Sequence, residues 1–110
     1  MSGRKLDLLQ GTLDLIVLKL LRAGRANGWQ LTQSIQVTTR GVLDVNYGSI
    51  YPALRRLEAR GLVRAQWGTS ENNRRARYYE LTAAGRKQLV VERDAWERFS
   101  AALGAILEAE

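Results

Sequence analysis

Tyr47-Gly48-Ser49-Ile50-Tyr51-Pro52-Ala53-Leu54-Arg55-Arg56 reads as a helix with two unlike edges. Ile50, Ala53, Leu54 and Leu57 recur at helical spacing and form a core edge. The opposite edge carries Gly48, Pro52, Arg55, Arg56 and Ala59, flanked by Ser49 and Tyr51. Gly61 is placed to end the helix. Pro52 argues for a late start, between Asn46 and Ser49, because proline is tolerated in the first turn, where its missing N–H has no partner. Downstream, Glu71-Asn72-Asn73-Arg74-Arg75-Ala76-Arg77-Tyr78-Tyr79 reads as the basic end of a hairpin.

The flanking segments supply the rest of a small domain. Val63, Ala65 and Trp67 alternate with Arg64 and Gln66, which predicts a strand; residues 77–82 alternate again, with Tyr79 and Leu81 on one face. Between them, residues 69–73 are rich in turn formers, and asparagine tolerates positive φ. A first helix is expected over residues 6–22 and a second over residues 29–37, with residues 42–45 able to form a brief strand. The first helix has two apolar edges, one of Leu9, Leu13, Ile16, Val17, Leu20 and Leu21, the other of Leu8, Leu15 and Leu18. A helix apolar on two sides is buried on two sides, which assigns the second edge to another subunit. Thr82 is placed to cap a last helix. There Leu89, Trp96, Phe99, Leu103 and Ile106 form a heptad-like seam, broken by Glu92, for packing against a partner chain. Trp29 and Trp67 are assigned to core or hinge packing in preference to stacking on bases, and Tyr79 to the core.

Composition narrows the chemistry. The 110 residues contain neither histidine nor cysteine. Imidazole acid–base catalysis, disulfides and His or Cys metal ligation are therefore excluded, and no cofactor or metal site is expected. Lack of cysteine fits a cytoplasmic location. The N-terminus has no cleavable signal pattern, and the apolar run at residues 13–21 is interrupted by Asp14 and Lys19 and too short to cross a bilayer. The formal charge of +6 is unevenly spread. Residues 40–87 hold ten Lys/Arg against four Asp/Glu, whereas residues 88–110 hold two against five. A basic centre suits a polyanion such as nucleic acid.

The two motifs make that suggestion specific. Arginine donates two parallel hydrogen bonds to a guanine edge or a phosphate, and hydroxyls near a helix N-terminus suit phosphate oxygens. Candidate contacts are therefore Tyr47, Ser49, Tyr51, Arg55 and Arg56 on the helix, with Asn73, Arg74, Arg75 and Arg77 on the hairpin. A solvated arginine face or a merely soluble turn would account for either motif alone; together they favour duplex DNA. No catalytic constellation is present in the sequence, and an enzyme is not expected.

From Leu8 to about Gln88 the chain resembles the PadR-type winged-helix transcriptional regulators, in their short subgroup. The resemblance is carried by Leu9-Gln10-Gly11-Thr12-Leu13-Asp14, by Gly48-Ser49-Ile50-Tyr51-Pro52-Ala53-Leu54-Arg55-Arg56-Leu57-Glu58, by Ser70-Glu71-Asn72-Asn73-Arg74-Arg75-Ala76-Arg77-Tyr78-Tyr79 and by Leu81-Thr82-Ala83-Ala84-Gly85. It departs at Asn27-Gly28-Trp29-Gln30, where many relatives carry a His-Gly-Tyr-Gly-like run. The implied fold is mainly α with a small β-hairpin: a winged helix-turn-helix DNA-binding domain over residues 1–84 and a C-terminal dimerisation helix over residues 85–110. The implied function is a homodimeric regulator, usually a repressor, on a palindromic operator, with recognition helix in the major groove and wing against backbone or minor groove. Leu8, Leu15, Leu18, Leu89, Trp96, Phe99, Leu103 and Ile106 would form the dimer contact. Trp96 and Phe99 read either as plain packing or as walls of a pocket for a small aromatic effector. The other class of function left open is a winged helix that binds an acidic protein instead of DNA.

Overall fold

The computed structural model describes residues 10–109. Its elements run α1 (Gln10–Arg22), β1 (Ala26–Asn27), α2 (Gly28–Thr38), α3 (Tyr47–Ala59), β2 (Val63–Thr69), β3 (Arg75–Leu81) and α4 (Ala83–Glu108). The antiparallel hairpin β2–β3 is expected from the sequence; the third strand is not. Ala26 and Asn27 pair with Tyr79 and Tyr78, so the sheet order is β1-β3-β2. A two-residue strand has no alternation to read, and this one lies where glycines suggest a break. Asn27 also caps α2: its side chain accepts from the Gln30 N–H while the Gln30 side chain accepts from the Asn27 N–H. Residues 42–45 form no strand beyond a single bridge at Leu43.

α3 starts inside the expected bracket, with the Asn46 side chain accepting from the Ser49 N–H. Pro52 nevertheless sits in its second turn rather than its first. It leaves the Gly48 carbonyl without its helical donor, on the exposed edge where that oxygen is open to water. The helix ends at a left-handed Gly61, with φ of 73°, where Gly61 N–H bonds to Glu58 O and Leu62 N–H to Leu57 O. That turn is the junction of the fold. Thr82 donates its hydroxyl to Gly61 O at 2.7 Å, accepts from Gly85 N–H at 3.0 Å, and bonds Leu62 O through its own N–H. Gly85 lies so close that an added Cβ would collide with the Leu62 carbonyl oxygen.

The core gathers Val17, Leu18 and Leu21 of α1, Leu31 and Ile35 of α2, Ile50, Leu54 and Leu57 of α3, Tyr79 and Leu81 of β3, and Leu89 of α4. The second apolar edge of α1 is thereby corrected in part. α1 runs through the middle of the domain, packed on by α2, α3, α4 and β3, so both edges find partners within one chain. Leu18 is completely buried there and Leu89 nearly so, both in the core of the single chain. Leu15 is only partly covered, and Leu8 lies outside the described residues. Beyond Leu89, α4 carries a run of exposed apolar side chains, and the longest dimension of the molecule is 56 Å.

Replacing Gly85 by alanine is expected to force α4 away from Leu62 and to destabilise the domain by about 2–3 kcal/mol. Thermal and denaturant melts measure it; an unchanged midpoint would mean that the junction is loosely packed.

Candidate nucleic-acid interface

Two elements face each other across a cleft of about 550 Å³. The exposed edge of α3 forms one wall, the β2–β3 hairpin the other, and the start of α2 closes one end. The hairpin tip is built tightly: Ser70 N–H bonds to Arg74 O, Asn73 N–H to Ser70 O, and Asn73 takes the left-handed φ of 58°. This fixes the outward course of Arg74 and Arg75, the latter already within β3.

Of the residues expected to contact a ligand, Tyr47, Tyr51, Arg55, Arg74, Arg75 and Arg77 line this cleft. Ser49 is exposed on the same helix and Asn73 is exposed at the hairpin tip, both outside the lining. Tyr47 and Tyr51 stack one turn apart, with ring centroids 5.6 Å apart at 23°. Partial burial, then the neighbouring Tyr51 phenol, push the Tyr47 hydroxyl above its ordinary range. It stays protonated near neutrality and can donate to an anion.

The arginines divide by partner. Among the described residues no carboxylate lies within 4.0 Å of Arg55, Arg74 or Arg75, so their donors are free. Arg56 is different. Its Nη2 donates to Asp14 Oδ1 at 2.7 Å, and Asp14 is 92% buried on α1. Arg56 thus ties α3 to α1 and, unlike Arg55, is not among the residues that line the cleft. Arg77 is also engaged, donating to Glu58 Oε2 at 3.0 Å across the cleft floor.

Trp29, Trp67 and Glu58 belong to this surface as well, beyond the contacts expected from the sequence. Trp29 and Trp67, assigned from the sequence to core or hinge packing, are 52% and 54% exposed and both line the cleft. The period-2 pattern correctly puts Trp67 on the face of Val63 and Ala65, but that face leaves the core before it reaches Trp67. Glu58 escaped attention because a lone acid next to arginines looks like ordinary surface. Tyr79 is core, as expected, while Tyr78 is buried on the far face of the sheet beneath the Arg25 guanidinium, 4.4 Å from its ring centroid.

A second, apolar surface lies elsewhere. Leu15, Ile16, Leu20, Ile35, Leu43 and Leu89 line a groove of about 300 Å³ between α1, α2 and α4, with Lys19 and Arg93 among its residues. Past this groove α4 exposes Trp96, Phe99, Leu103 and Ile106. Trp96 and Phe99 line neither the groove nor the cleft. No helix among the described residues is long and apolar enough to cross a membrane.

Known proteins share this architecture. A transcriptional regulator from Clostridium thermocellum superposes with a TM-score of 0.82 at 26% identity, covering 90% of this chain and 96% of that one. A PadR family transcriptional regulator from Eggerthella lenta gives 0.79 at 29% identity, over 92% and 86% of the two chains. An uncharacterized protein of Lysinibacillus sphaericus is 26% identical over 83 residues, 76% of each chain. Residues 17–91 match the Transcriptional regulator PadR-like family, about two thirds of the sequence, and with the winged-helix fold around them they place this chain in that family of DNA-binding regulators.

Proposed function

We propose that this chain is a homodimeric repressor that binds a palindromic operator, with α3 in the major groove and the β2–β3 wing along the neighbouring backbone or minor groove. The observation that carries the reading is the set of three uncommitted arginines around one cleft, Arg55 on the helix and Arg74 and Arg75 on the wing. A free guanidinium on a helix edge suits a guanine edge, and free guanidiniums on a turn suit phosphates. Tyr47, Ser49 and Tyr51 add hydroxyl donors around the helix, and Asn73 adds an amide at the tip. The role goes with a cytoplasmic location.

Dimerisation is supported by the apolar run on α4. Trp96, Phe99, Leu103 and Ile106 are 42–70% exposed among the described residues, and an exposed apolar stripe of this length marks an interaction surface. Two copies would bury it, with Leu15 and the groove beside it within reach of the contact. An aromatic effector, where one acts, would be held between copies at Trp96 and Phe99, since neither residue lines a cleft of the single chain.

Selection of bound fragments from random duplex DNA tests the whole reading: a palindrome should emerge, bound about a thousand-fold or more above random sequence and steeply weakened by salt. Sequence-independent binding, or none, would remove it. Arg55→Ala should relax preference at one operator position by about 1–3 kcal/mol without moving the melting temperature. Arg75→Ala should weaken all duplexes evenly and lower the salt slope by about one unit. Arg56→Ala should behave otherwise, costing about 2–3 kcal/mol of stability because Asp14 is left buried without its cation. Sedimentation of Phe99→Asp or Leu103→Asp should show monomers that no longer hold the palindrome; persisting dimers would move the interface elsewhere.

A further inference from the structure

Trp67 is a large apolar side chain, half exposed, at a place where the sheet has already left the core. What it does touch is cationic. In the hairpin register Arg77 is its direct partner, and Arg75 is the partner of Thr69, which puts Arg75 diagonally across on the same face. The Arg75 guanidinium carbon lies 4.4 Å from the Trp67 ring centroid and that of Arg77 5.9 Å. Arg77 is held again by Glu58, from α3, and lies 5.9 Å from the Tyr79 ring centroid. The indole face attracts a cation more strongly than any other side-chain ring.

We propose that Trp67 is a positioning residue for duplex binding: its ring racks the Arg75 and Arg77 guanidiniums in the orientation they keep against the phosphate backbone. The proposal rests on the reading of the cleft as the DNA-facing surface. A free arginine spreads over many rotamers, and ordering it on binding lowers affinity. An arginine already lying over a ring has lost that freedom before the duplex arrives. Attraction to the ring acts on the charge and face of the guanidinium and consumes none of its N–H donors, which stay available for phosphate oxygens. Arg75, with no carboxylate partner, carries the contact, while Arg77, bound to Glu58 as well, joins the rack to α3. Trp67 therefore acts through the arginines and not by touching DNA.

The test is a mutant cycle read on a mixed-sequence duplex of about 30 base pairs in about 50 mM salt. Trp67→Ala should weaken binding roughly three- to ten-fold, and Trp67→Phe, which keeps an aromatic face, should recover most of that loss. In an Arg75→Ala/Arg77→Ala background, Trp67→Ala should have no further effect. Circular dichroism melts accompany each variant, and the Phe form guards against a folding defect in the Ala form. Binding by Trp67→Ala equal to the parent overturns the proposal. So does a loss that persists undiminished without the arginines, since the ring would then contact DNA itself. A parent chain that binds no duplex fails earlier and takes the functional reading with it.

Discussion

The structure turns on the packing around the Leu62 peptide. Its N–H closes the end of α3 on Leu57 O, its carbonyl accepts from Thr82, and Gly85 leaves it room. At this point the helix ends, the hairpin begins, and the last helix departs. Because β2 leaves the turn and β3 returns to it, the distance between α3 and the wing is set within a few bonds of Gly61 and Thr82. The two walls of the cleft are thus joined at one knot of hydrogen bonds. The hydrogen bonds involved are individually modest, about 1 kcal/mol each, but the groups they satisfy would be costly to bury unpaired.

Electrostatics then sorts residues that look alike in the sequence. Arg55 and Arg56 are neighbours on α3, yet a helix turns by about 100° per residue. That rotation sends Arg56 toward the buried carboxylate of Asp14 and leaves Arg55 facing the cleft. On the wing, Arg75 and Arg77 share a face, but only Arg77 reaches Glu58. A basic surface is thus divided into cations that hold the fold and cations that remain for a polyanion. The aromatic rings around the cleft add a third role, giving guanidiniums a place to rest.

Much of this is legible in the sequence because helical spacing is a strong signal. The core edge of α3, the end at Gly61, the Thr82 cap and the hairpin are all in place. What is not legible depends on the third dimension. Leu18 and Trp67 both follow their local period, but period says which side a residue faces and not where the domain stops. Leu18 turned out to be covered by α1's own neighbours, and Trp67 to lie past the edge of the core. Partner choice is equally hidden: Asp14 and Arg56 are 42 positions apart, and nothing local pairs them. β1 is invisible because two residues are too few for a pattern.

The last helix has one further consequence. Of its 26 residues, only the first part rests on the domain; the distal part is held by its own backbone bonds and by two loose ion pairs, Arg93–Glu97 and Arg98–Asp94. An unsupported helical arm with apolar side chains in water is marginal, since tertiary packing supplies most of a helix's stability. Its order is therefore linked by mass action to whatever covers it: a partner that binds the ordered arm and not the frayed one raises the arm's stability as occupancy rises.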